Sequence, residues 1–94
     1  MSLETIYAQS IIASACKAIA VAPVGDRNRT LYSSAFVLCK LVAGNAAAWP
    51  MVETLIRNAA SECGIDTDEA AATIASARRT SALEMKLKEL PLAE

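Results

Sequence analysis

An all-helical fold, a small bundle of about four mostly antiparallel helices with an amphipathic C-terminal extension, is what this sequence predicts. Two observations carry it. Alanine, which costs least to hold in a helix, dominates a chain that is 54% hydrophobic, while aromatic residues make up only 4% and there are just 3 Gly and 3 Pro. Apolar residues also recur at helical spacing between clear stop signals. With 94 residues the chain suits a single domain, 1–94. A domain this small buries only roughly 60–65% of its unfolded surface, so a partner or a second copy would supplement its core.

Ser2 is placed to cap a first helix that runs to about Ala22 and is stopped by Pro23 and Gly25. Ala8, Ile12, Ala15, Cys16 and Ile19 form its buried stripe, opposite Ser10, Ser14 and Lys17. After the turn Pro23–Asp26, Asn28 is expected to cap a second helix. Leu31, Ala35, Leu38 and Val42 give that helix its apolar face, and Gly44 and Asn45 end it.

Pro50 suits the first position of a third helix, with Val52, Leu55, Ile56, Ala59 and Cys63 directed inward. Gly64 supplies a left-handed cap and Ile65 tucks back against the helix end. Asp66 and Glu69 are spaced as a capping box for a fourth helix, where Asp68 adds the negative charge that a helix N-terminus favours. Ala70, Ala71, Ile74 and Ala77 face inward, and the helix continues through Leu83 and Leu87 to Pro91. The segment 80–94 is either a docking or dimerisation arm, or a tail packed on its own bundle.

Composition removes several classes of function. Nine basic and ten acidic residues give a net charge of -1, too balanced for indiscriminate coating of nucleic acid. The longest apolar stretches, 11–23 and 35–43, are broken by Lys17 and Lys40 and fall short of the about 20 residues a bilayer requires, so no membrane span is expected. No basic region precedes the first apolar segment, which points away from a secretory signal and toward the cytoplasm. There is no His, and Cys16, Cys39 and Cys63 lie far apart among apolar residues. They read as small hydrophobes, with neither a metal site nor a Cys–His nucleophile expected. Each glycine stands alone at a helix boundary, so no phosphate-cradling loop is formed. No catalytic group and no cofactor are expected.

The cations are more informative. Arg27 and Arg29 flank Asn28 at the head of the second helix, where amides and dipole attract an anion, although Asp26 offers them an internal salt bridge instead. Arg78 and Arg79 make a second basic spot on the fourth helix. Ala59 to Ile65 resembles the first helix and turn of a helix-turn-helix, but that motif is disfavoured, because its recognition helix would open with Asp66, Asp68 and Glu69 against phosphates.

Gly25-Asp26-Arg27-Asn28, then Leu31, Ala35-Phe36, Leu38 and Leu41-Val42-Ala43-Gly44, resembles the Gly-x-Arg-Asn opening of a helical module found in phage and plasmid primases and primase-polymerases. Val52, Leu55, Ala59-Ala60, Gly64-Ile65, Glu69 and Thr73-Ile74-x-Ser76 continue the similarity, which covers 24–79. The module is similar to a PriCT-like accessory domain. Ala77 stands where that pattern commonly has Gly, and no catalytic primase or helicase domain accompanies it. The resemblance implies a non-enzymatic accessory of DNA replication, with Arg27 and Asn28 as the signature pair.

Two functions follow as expectations. One is contact with single-stranded or primer-template DNA through Arg27, Asn28, Arg29, Arg78 and Arg79. The other is docking on a primase, a helicase or another protein, as helper or inhibitor, or pairing as a homodimer. Tyr32, Trp49, Leu83 and Leu87 are its candidate contacts, with Trp49 alternatively folded over its own bundle.

Overall fold

The computed structural model describes residues 3–43 and 45–89, and within them the chain is helical throughout its ordered elements. Four α-helices are present among the described residues: α1 (Leu3–Ala20), α2 (Arg27–Leu41), α3 (Trp49–Glu62) and α4 (Thr67–Glu89). Single 3-10 turns, Val24–Asp26 and Ala46–Ala48, lead into α2 and α3. The expected caps Ser2 and Gly44, and the stop at Pro91, lie outside the described residues.

The most extensive interface is α2 against α4, followed by α1 against α3. Both α2 and α3 touch all the other helices, whereas α1 and α4 do not meet among the described residues. The α2/α3 pair is therefore the centre of the fold, flanked by α1 and α4. Ile19, Leu31, Leu38, Val52, Ile56 and Ile74 are its fully enclosed large side chains. Close approach of α2 to α4 is possible because the inward positions of α4 beside Ile74 are small: Ala70, Ala77 and Ser81, all buried.

The apolar stripes fall where periodicity places them, with local shifts. In α1, Ile12 and Ile19 are buried, Ala8, Ala15 and Cys16 half-buried, and Ser10, Ser14 and Lys17 exposed. That helix closes at Ala20, two residues before Ala22, through a last turn in which the Val21 and Ala22 amides donate to Lys17 and Ile19 carbonyls. In α2, Leu31, Ala35 and Leu38 are buried and Val42 caps the C-terminus. Pro50 is the second residue of α3, because the 3-10 turn brings the helix in at Trp49. Leu55 was expected inside but sits at the edge of the apolar arc, 39% exposed.

The α3–α4 corner has the geometry that Gly64 predicts. Gly64 adopts φ 93°, its amide donates to Ser61, and the Ile65 amide donates to Ala60 at 2.9 Å. These are the two bonds of a Schellman closure, and Ile65 is buried against the helix it terminates. Asp66 Oδ2 then accepts from the Asp68 and Glu69 amides at 3.0 and 3.4 Å, capping α4. Only half of the capping box forms, since the Glu69 carboxylate is engaged elsewhere.

Candidate functional site

The head of α2 is arranged differently from the sequence reading. The 3-10 turn, closed by the Asp26 amide on the Pro23 carbonyl at 2.8 Å, runs straight into α2. Asp26 thereby takes the cap position and Asn28 is drawn one residue inside the helix. Asn28 is consequently not a cap. Its Nδ2 donates to Glu69 Oε1 at 2.6 Å, and its Oδ1 accepts from Thr73 Oγ1 at 2.7 Å. Both partners lie on α4, so the residue that sequence reasoning set at an anion seat is a clamp between two helices.

The two arginines beside it separate. Arg29 pairs with the Asp26 carboxylate, which accordingly makes no capping bond to the backbone. The Arg27 guanidinium lies over Gly64, 3.5–3.6 Å from where a Cβ on that glycine would stand. Its position sets a cation at the C-terminal end of α3, where the helix dipole favours positive charge. Arg27 Nε is buried without a hydrogen-bond partner among the described residues. The anion seat at this helix start is thus occupied by the protein's own contacts.

A different cationic group forms between α3 and α4. Arg57, Arg78 and Arg79 line one groove of about 410 Å³ with Glu53. Arg57 is held by Glu53 at 3.7 Å, one helical turn away on α3. Sequence reasoning found Arg78 and Arg79 and missed Arg57, whose only signal was its i,i+4 pairing with Glu53. Arg29 instead lines a groove between the end of α1 and the start of α2, so the two expected basic spots do not share a surface recess.

Of the aromatic candidates, Trp49 is a core residue, only 6% exposed. The Arg78 guanidinium carbon sits 5.2 Å from the ring centroid, covering the indole with a cation. Tyr32 is half-buried and stacks on Phe36 with centroids 6.5 Å apart. Lys40 reaches over Phe36 at 4.5 Å and also pairs with Glu84 of α4, completing a ladder along one face of α2. By contrast, Leu83 and Leu87 are 58% and 56% exposed, one turn apart on α4. They present apolar surface that the bundle does not cover.

Three titratable groups among the described residues, Cys16, Cys39 and Glu84, depart from their ordinary pKa. Burial raises the thiol pKa of Cys16, with Glu62 adding to the rise, and that of Cys39, against which Arg78 pulls down and Glu53 up. Both thiols stay protonated near neutrality, the unreactive form. Cys63 is buried and donates weakly to the Ala60 carbonyl. The hydrogen bond from Lys40, above all, holds the Glu84 carboxyl below the ordinary range, assisted by Lys88. No trio of Cys, Asp and Glu is gathered for a metal among the described residues, and no described helix is long and apolar enough to cross a membrane.

No family model matches the chain, and neither the curated proteins nor the solved structures compared with it give a match. The candidate surfaces include the arginine groove between α3 and α4, the groove beside Arg29, the exposed leucine pair on α4, and a cleft over Trp49.

Proposed function

We propose that this chain is a non-enzymatic accessory of DNA replication that works by docking α4 on a protein of the primase or helicase machinery. The replication setting rests on the resemblance of 24–79 to a primase accessory module. The observation that favours docking over direct DNA contact is the exposure of Leu83 and Leu87, set against the internal commitments of Arg27, Asn28 and Arg29. Two leucines at i,i+4 on a helix are a usual anchor for a groove on a partner. Lys86 and Lys88, in the last turn of α4, add charge that would steer an acidic partner.

Expressed with the primase and helicase of the genome that encodes it, the chain co-purifies with one of them on this reading. A Leu83→Glu/Leu87→Glu variant that keeps its helical circular dichroism loses the association. Retention by the variant, or no association by either protein, overturns the proposal.

The arginine groove favours a second reading, contact with single-stranded or primed DNA through Arg57, Arg78 and Arg79. It requires fluorescence anisotropy to detect binding that weakens with salt and in an Arg57→Ala/Arg79→Ala variant. Binding that is unaffected by both changes eliminates it.

A further inference from the structure

A cleft of about 440 Å³ lies where the end of α2, the start of α3 and the C-terminal half of α4 meet. Its volume is within the range of small-molecule sites, toward the small end. Val42, Ala43, Ala82 and Met85 give it apolar walls, and Met85 adds a side chain that adapts to a ligand's shape. Trp49 lines it, and the indole Nε1 is buried with no hydrogen-bond partner among the described residues. That N–H has no accessible surface, so what Trp49 offers the cleft is the apolar surface of its ring.

The charges in the cleft are all of one sign. Arg78, over the indole ring, and Lys86 both line it, and neither enters an ion pair among the described residues. No Asp or Glu lines it. Two cations lining an apolar cleft match a compact anionic head group carried on an apolar body.

We propose that this cleft binds a small amphipathic carboxylate, its apolar body against Met85, Val42 and the Trp49 ring and its carboxylate held by Arg78 and Lys86. This site shares Lys86 with the docking face but uses neither Leu83 nor Leu87, and it does not depend on the docking reading.

The test uses octanoate as probe on the intact chain, followed by the fluorescence and indole N–H resonance of Trp49, the single tryptophan. Octanoate gives saturable binding that shifts the indole resonance, while 1-octanol, which keeps the tail and lacks the charge, binds about tenfold more weakly or worse. Arg78→Gln and Lys86→Gln each weaken octanoate binding by a similar factor. Lys86→Gln is the decisive variant if Arg78→Gln perturbs folding, since Lys86 is exposed. Leu83→Gln/Leu87→Gln, which removes the exposed leucines without placing a charge beside Lys86, leaves octanoate affinity unchanged, which separates failure of this proposal from failure of the docking reading. Non-saturable octanoate binding, equal affinity for octanol, or full affinity in Lys86→Gln overturns the site.

Discussion

Gly64 and Gly25 occupy similar punctuating positions in the sequence and differ in what the backbone asks of them. Gly64 has φ 93°, and a Cβ added there would meet the Arg27 guanidinium at only ordinary contact distance, 3.5 Å. The cost of Gly64→Ala is therefore one of conformation rather than collision, about 1–2 kcal/mol, read from the urea midpoint. Gly25 faces open space without a positive φ. Gly25→Ala is neutral or stabilising by up to about 1 kcal/mol, because it restricts the unfolded chain. Asn28 belongs at the same scale. Its paired bonds to Glu69 and Thr73 cross from α2 to α4 at an exposed position, so Asn28→Ala costs about 1 kcal/mol, with the DNA-free fold otherwise intact by circular dichroism. A signature role in binding DNA would instead leave stability unchanged.

At the scale of elements, the α2–α4 interface depends on small residues on one side and branched apolar ones on the other. Ala77 is fully enclosed, as are Leu31, Ala35 and Leu38 on α2. Ala77→Leu overfills that seam and lowers stability by about 1–3 kcal/mol. The opposite change, Ile74→Ala, leaves a cavity and costs about 2–5 kcal/mol. Either is large against the total stability of a domain this size, so thermal unfolding should report both clearly. The same seam carries the Lys40–Glu84 pair. Glu84 is held below the ordinary carboxylate range chiefly by the Lys40 hydrogen bond. A carboxyl with a depressed folded-state pKa stabilises fully above its unfolded value, and that contribution disappears as pH falls through the folded value. Acidification from neutrality through and below the ordinary carboxylate range therefore loosens this strut, and a Lys40→Gln variant loses less stability over the same range than the parent chain.

The whole molecule measures 47 × 33 × 20 Å, with a fourth helix of 23 residues against 15 and 14 in its neighbours α2 and α3. At about 1.5 Å per residue, α4 has roughly 12 Å more length than α2 to cover it, and Leu83 and Leu87 stand exposed in its C-terminal half. Leu83→Glu/Leu87→Glu therefore changes stability by less than about 0.5 kcal/mol while abolishing whatever association the face supports, whether with a partner or with a second copy. Analytical ultracentrifugation across a concentration series tests the second case. A loss of several kcal/mol in the double variant would mean that the leucines pack on their own bundle.

The sequence by itself determined the helical class, the four segments and most of the core, because these follow from local preferences: alanine content, the 3–4 spacing of apolar residues, and a glycine required at a left-handed corner. The Gly64–Ile65 closure was legible residue by residue, and so was the Asp66 cap. Asn28 and Glu69 were misassigned for a shared reason. Each was read as a partner of its own helix terminus, and each found a better partner across the α2–α4 interface, 41 residues away in sequence. The fates of Arg27, Arg29 and Trp49, the company of Arg57 with Arg78 and Arg79, and the cleft over the indole were decided only in three dimensions. Side-chain hydrogen bonds and charge pairs are short-ranged and choose among neighbours brought together by packing, so a pattern within one helix cannot rank partners that another helix supplies.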